Sequence, residues 1–231
     1  MMSIDLSIVL SGEFGQWLLR GFLLSIELTL VTLVLAFPLA TVVALLRLSP
    51  WKALRGIGFA YVEGIRNVPL LAHLMFWYFG ATQLLPEAAR TWLYEHDAET
   101  ICAIVALTLY TAAFMAEDVR SGIRSIPGTQ LEAARALGIG YLRSMRLVVL
   151  PQAVRIIVPP LISQTLSLWK NTSIATVIGT AELMYQAQRV ETATFRGVET
   201  FAVTTVAYLA VSCVITLIGV FYQRRYPVRA A

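Results

Sequence analysis

Long apolar runs separated by short charged stretches restrict this chain more than any other feature. A membrane-spanning helix needs about 20 mostly apolar residues. Five segments approach that requirement: residues 22–46, 68–85, 101–116, 156–169 (with an apolar continuation to about 179) and 201–222. Pro38 is expected to kink the first, and Pro159-Pro160 to kink or break the fourth. Soluble domains carry about 25% charged residues, whereas here 14% are charged and 58% hydrophobic. With a mean hydropathy of +0.71, the excess apolar surface requires lipid. The expectation is an all-α integral membrane protein forming one domain over residues 1–231. Residues 1–20 are mixed in polarity and read as an amphipathic surface helix. The first apolar run is long, late and has no basic start, so no cleavable signal peptide is expected.

The charges between the runs alternate. Arg47, Lys52, Arg55 and Arg66 face Glu63 alone in the first connection, and Glu87, Glu95, Asp97 and Glu99 face Arg90 in the second. Arg120, Arg124, Arg135, Arg143, Arg146 and Arg155 fill the third; in the fourth, Glu182, Glu191 and Glu199 outnumber Arg189 and Arg196. The tail carries Arg224, Arg225 and Arg229. Basic loops stay in the cytoplasm, so five spans put the N-terminus outside and the C-terminus inside. Arginines at the ends of apolar runs mark membrane orientation and exclude a nucleic-acid face. Cys102 and Cys213 each lie in an apolar run and read as packing residues, with neither a disulfide nor a metal pattern.

The third basic connection holds a short polar helix. Pro127-Gly128 forces a turn, and Thr129 and Glu132 have capping-box spacing. Residues 131–137 are good helix formers, and Gly138 suits the left-handed position that ends such a helix.

Glu132-Ala133-Ala134, the spaced Gly138 and the downstream Leu150-Pro151 resemble the EAA loop of ABC-importer permeases. The resemblance extends over most of the chain. Arg66-Asn67-Val68-Pro69-Leu70-Leu71 with Phe76-Trp77-Tyr78-Phe79-Gly80, and Tyr110-Thr111-Ala112-Ala113-Phe114-Met115-Ala116-Glu117, look like stretches of the polar amino-acid uptake permeases. Lys170-Asn171-Thr172-Ser173 and Glu182-Leu183 continue the match, and the wording leans to the glutamate/aspartate branch. Gly128-Thr129-Gln130, in place of a small-Gly-Gln order, and the second acid at Asp118 depart from it.

The resemblance implies a multi-pass permease subunit of a bacterial inner membrane, not an enzyme, with no cofactor and no metal. Thr129, Glu132, Ala133, Ala134, Leu137 and Gly138 would seat in a groove of an ABC ATPase dimer. A second permease subunit, identical or paralogous, would complete the pathway, and a periplasmic binding protein would deliver substrate. No Walker-type Gly-rich loop is present, which fits hydrolysis on another subunit. An ion-gradient-driven secondary transporter is the alternative, though the repeats common in that class are not visible. Membrane enzymes are disfavoured by the absence of HExxH and GxSxG and by only two histidines, His73 and His96.

Several polar residues carry two readings. Lys170, Asn171 and Thr172 either line the translocation path, with Lys170 attracting an acidic substrate, or mark the outer end of the fourth span, where Lys170 snorkels. Glu117 and Asp118 either build a salt-bridge network with Arg120 or Arg124 that supports the loop, or are solvated interfacial acids. Glu27 reads as a packing partner of the Ser25 and Thr29 neighbourhood or as lying close to the outer surface, with substrate contact as a further reading, and His73 reads as a hydrogen-bonded packing residue. Trp77, Tyr78, Trp92 and Tyr94 read as aromatic anchors near the outer interface.

Overall fold

The computed structural model describes residues 5–227. Every regular element among them is helical. In order these are α1 (Ser7–Leu10), α2 (Gly12–Leu48), α3 (Lys52–Arg66), α4 (Leu70–Met75), α5 (Glu87–Glu95), α6 (Ala98–Arg124), α7 (Gly128–Ala136), α8 (Tyr141–Ser144), α9 (Leu150–Asn171), α10 (Leu183–Thr194) and α11 (Gly197–Arg225). Wider π turns occupy Phe76–Gly80 and Met145–Val149, and tighter 3-10 turns Ala81–Leu84 and Thr172–Ile178. Four runs are long and apolar enough to cross a membrane: Gly12–Leu48, Ala98–Arg124, Tyr141–Ile178 and Gly197–Arg225. Helices suit lipid because every backbone bond is made within the segment.

Several sequence expectations change. Residues 12–20 are not a separate surface helix; they form the first turns of α2, which runs on through Pro38. The first four residues lie outside the described range. Pro159 and Pro160 do not break α9 either. Both are half-buried in the bundle, and neighbouring helices let a spanning helix tolerate such prolines. The stretch expected as a second span is helical from Leu70 to Leu84, but its three winding types change along the way. Fifteen residues rise only about 22 Å, less than a bilayer core of about 30 Å, yet the stretch returns the chain from Arg66 at the basic end to the acidic end, where Tyr78 meets Glu99. The amphipathic α3 precedes it and packs across the ends of α2 and α6, burying Gly58 and Val62.

α2 and α6 form the central pair. Small residues let their backbones approach: Ala36, Ala40 and Ala44 of α2 and Ala112 and Ala116 of α6 share one core with Val62 and Ile157. A second core joins Leu28, Leu74, Leu107, Leu168 and Ile178. At Gly122 a Cβ would fall 2.3 Å from Ile157 Cγ1, so only glycine allows α6 to meet α9 there. α11 packs on α9 through Trp169, whose Nε1–H donates to Tyr208 O (3.1 Å), and leaves Leu209, Val214, Leu217 and Phe221 exposed. Those faces, with Cys213 among them, suit lipid or another subunit.

The arginine-rich ends of the helices gather at one end of the bundle, and the acids of residues 87–99 and 182–199 at the other. At the acidic end a single side chain ties four segments together. Glu182 is fully buried and caps α10 by accepting from the Met184 and Tyr185 N–H groups, both at 2.9 Å. It also accepts from Thr176 Oγ1 (2.9 Å), Tyr208 OH (2.9 Å) and Ser25 Oγ (3.3 Å). Ser25 Oγ in turn accepts from Leu183 N–H at 3.1 Å. Gly21 leaves room for this crossing: a Cβ there would lie 2.9 Å from the Glu182 carbonyl oxygen.

Replacing Glu182 by Ala strands buried donors from α10, α11 and the Thr172–Ile178 turn. Each unsatisfied buried group costs about 1–3 kcal/mol, so a loss of about 3 kcal/mol or more is expected. In thermal unfolding of the detergent-solubilised chain this reads as a midpoint lower by roughly 6–12 °C. Glu182→Gln, which keeps an acceptor oxygen, should fall between the two. A Glu182→Ala midpoint equal to wild type would remove this residue from the role.

Candidate functional site

The basic end carries exposed apolar side chains that belong to no long helix, Leu137 and Leu142 among them. α7 begins at Gly128 with Pro127 as its N-cap, and no side chain caps it. The expected Thr129–Glu132 capping box does not form. Proline, with φ −58° and ψ 137°, occupies the capping position and pushes Thr129 into the first turn. The other terminus is closed by backbone alone. Gly138 has φ +77°; its N–H donates to Arg135 O (2.9 Å), and Ile139 N–H donates to Ala134 O (3.1 Å). This is a Schellman closure, in which glycine takes the left-handed position without a Cβ penalty.

Ala134 faces inward, whereas Glu132 and Ala133 face out. Leu137 is 80% exposed and Leu142 82%, with Tyr141 and Leu147 beside them. The segment after α7 is held by Ser144, fully buried, whose hydroxyl lies 3.1 Å from the carbonyl oxygens of both Ile139 and Gly140. The guanidinium of Arg135 lies 5.9 Å from the centre of the Tyr141 ring. The result is a stiff polar helix flanked by uncovered leucines, a shape suited to insertion into a partner's groove. Ser144 gives no signal in the sequence, since a serine between arginines reads as solvated.

Glu117 sits one helix away and is shared by two arginines. Arg47 Nη1 lies 2.6 Å from its Oε2, Arg120 Nε donates to the same oxygen at 2.9 Å, and Arg120 Nη2 pairs with Oε1. Arg47 also approaches Glu63 at 3.9 Å. The network therefore clamps α2, α3 and α6, the helix that leads into α7, and Arg124 takes no part among the described residues. Arg47, 70 residues away in sequence, is the partner that sequence spacing does not reveal. Asp118 points elsewhere and accepts from Gln164 Nε2 at 2.9 Å. Nearby, Tyr61 OH donates to Leu109 O at 2.7 Å. Burial pushes that phenol up to about 12, so it stays a donor throughout the physiological range.

A polar cleft of about 260 Å³ opens between α6 and α9. Gln164, Ser167 and Asn171 line it from one face of α9, and Tyr110, Thr111 and Phe114 from α6. The spacing i, i+3, i+7 puts the three α9 residues on one stripe. Arg66 stands near the cleft, its guanidinium 4.9 Å from the centre of the Phe114 ring. Of the three candidate pathway residues, Asn171 alone lines the cleft. Lys170 is exposed beside it and forms no ion pair among the described residues. Thr172 is fully buried and donates to Trp169 O at 2.8 Å, which ties it to the core.

The remaining polar residues compare with their sequence readings as follows. Glu27 is exposed on α2, and Ser25 bonds to Glu182 instead. His73 Nε2–H donates to Ile65 O at 3.1 Å, as a packing histidine would. Trp77 and Tyr78 are half-buried and pack against the core, and Tyr78 OH donates to Glu99 Oε1 at the acidic end at 2.7 Å. Trp92 and Tyr94 remain exposed. No cluster of three metal-ligating side chains occurs among the described residues.

Taken together, these elements define a multi-pass helical membrane subunit with one short exposed helix at the basic end and a polar cleft between spanning helices. Residues 16–227 match the family described as "Binding-protein-dependent transport system inner membrane component", and the chain belongs to that family. It is thus an inner-membrane transport component and not an ion-gradient transporter. It is 40% identical to the probable glutamine ABC transporter permease protein GlnM of Bacillus subtilis, over 94% of this chain and 95% of that protein. It is 35% identical to the glutamate/aspartate import permease protein GltJ of Escherichia coli K12, over 90% of this chain and 87% of that one. Among solved structures, a crystal structure of an amino acid ABC transporter with histidines superposes with a TM-score of 0.84 and 28% identity, covering 97% of this chain and 100% of that one.

The exposed turn at Gly138 yields a clean test. Nothing lies within 4 Å of a Cβ built there, so substitution strains only the backbone. Gly138→Val should unseat the end of α7 at a cost of about 1–2 kcal/mol while membrane insertion persists. Gly138→Asn, tolerated in the left-handed region, should lie close to wild type. The readout is retention of the ATPase subunit on affinity-tagged permease. Equal retention by the valine and asparagine variants would show that the turn's conformation does not matter.

Proposed function

We propose that this chain is the permease subunit of an ATP-driven importer of polar amino acids, with glutamate or aspartate as substrate. The observation that carries this reading is α7, a closed helix flanked by exposed Leu137 and Leu142 at the basic end of the bundle. A soluble ATPase dimer would seat Glu132, Ala133, Leu137 and Gly138 in its groove, and the Glu117–Arg47–Arg120 clamp would pass the resulting push to α2 and α6. A second permease subunit covers exposed apolar faces, and a binding protein presents substrate at the acidic end. In this arrangement the N-terminus is periplasmic and the C-terminus cytoplasmic, which the clustering of arginines at one end supports.

The stripe of Gln164, Ser167 and Asn171 supports a pathway along α9. Amide and hydroxyl groups facing a cleft at membrane depth offer hydrogen bonds to a polar solute where lipid offers none. Arg66 and Lys170 supply cations at the two ends of that stripe, and Glu27 is the only acid of α2 between Glu13 and the basic end. This balance favours an anionic amino acid. The glutamate/aspartate permease of E. coli among the relatives agrees with it.

Two measurements test the reading. Lys170→Gln should slow glutamate or aspartate uptake about fivefold, the equivalent of ~1 kcal/mol at an exposed charge, with ATPase association unchanged. Unchanged uptake would reassign Lys170 to anchoring at the interface. For orientation, single cysteines at positions 95 and 130, in a chain lacking Cys102 and Cys213, should differ in intact cells. Position 95 should react with an impermeant thiol reagent and position 130 should not, and the opposite pattern would invert the topology.

A further inference from the structure

A second cleft at the basic end shares no lining residue with α7 or with the polar cleft along α9. It holds about 340 Å³ and is lined by Arg47, Ser49, Lys52, Arg55, Arg120 and Arg124. Arg47 and Arg120 share Glu117, but Lys52, Arg55 and Arg124 form no ion pair among the described residues. Each of those three is exposed. Like charges gathered so closely repel one another, so the cluster is incomplete without an anion. The first turn of α3 opens beside it with no side-chain cap, adding free N–H groups and the positive end of a 15-residue helix.

The rim identifies the anion's carrier. Trp51 is 71% exposed, with Ile57 and Phe59 uncovered on the same amphipathic helix. Val42 and Leu45 are exposed on the last turns of α2 just below. Tryptophan at the boundary between a spanning helix and a basic surface sits at the depth of lipid headgroups. Clustered lysines and arginines immediately beyond a spanning helix attract anionic lipid. An acidic protein surface would satisfy the charges but leave Trp51, Val42 and Leu45 without a partner; a lipid satisfies both.

We infer that the cleft between the end of α2, the start of α3 and the end of α6 is a binding site for one anionic phospholipid. Lys52, Arg55 and Arg124 bind its phosphate, and Trp51 and Leu45 flank its acyl chains. This inference holds whichever amino acid is transported.

The test uses the full chain in neutral detergent, exchanged against mixed micelles of equimolar phosphatidylglycerol and phosphatidylcholine, with retained lipid measured by mass spectrometry. Wild type should hold about one phosphatidylglycerol per chain with a roughly tenfold preference, and Lys52→Gln/Arg55→Gln/Arg124→Gln should bring that preference to within about twofold. Arg124→Gln alone, at an exposed position on the last turn of α6, should show an intermediate loss and guards against misfolding of the triple variant. Arg155→Gln/Arg225→Gln removes two cations from a different cleft at the same end and should leave the preference intact. An equal loss in that control would reduce the effect to general surface charge and overturn the site. So would an undiminished preference in the triple variant. Calorimetric binding of inorganic phosphate to wild type without phosphatidylglycerol retention would assign the cleft to a soluble anion, and loss of ATPase association without loss of lipid would assign it to the partner protein; either result overturns the inference.

Discussion

Glu182 is the point on which the acidic end depends. A carboxyl group with no water around it must find donors, and this one finds five on four segments. Each donor is itself buried or half-buried, so its alternative is an unpaired polar group in an apolar surrounding, which costs more than the bond gains. The tie is therefore enforced from both sides. It fixes α10 against α2, aligns α11 through Tyr208, and holds the Thr172–Ile178 turn that ends α9. Tyr208 extends the tie by accepting from Trp169.

The other end is held by charge. Glu117 is only partly buried and is met by Arg47 and Arg120 from different helices. Partial exposure weakens any single ion pair, but a shared carboxylate makes the positions of α2, α3 and α6 interdependent. The two ends thus differ in character. The acidic end is a buried hydrogen-bonded knot, and the basic end is a partly exposed cluster of ion pairs.

The cleft along α9 lies between these two anchors. Its polar stripe ends at Asn171, next to the turn that Glu182 holds. Asp118 reaches Gln164 from one turn beyond Phe114. Residues that line the cleft thus lie next to both knots in sequence or one hydrogen bond away.

Much was legible from the residues in order. Apolar runs of spanning length dictate helices, because lipid offers the backbone no other partners. The spacing of arginines marks one end as basic, and Pro127-Gly128 and Gly138 mark the bounds of α7 through their own φ restrictions. What the sequence could not decide depends on meetings between distant residues. Glu182 reads as one more loop acid until Ser25 and Tyr208 are brought to it. Thr129 reads as a cap until Pro127 takes that place. The inward packing of Trp77 and Tyr78 is set by how the Leu70–Leu84 stretch lies against the core, and the tightening of the helix after Asn171 buries Thr172. Periodicity and propensity act over a few residues and so are written in the chain, whereas the partner of a buried polar group is chosen by helix crossings, and only the tertiary structure sets those.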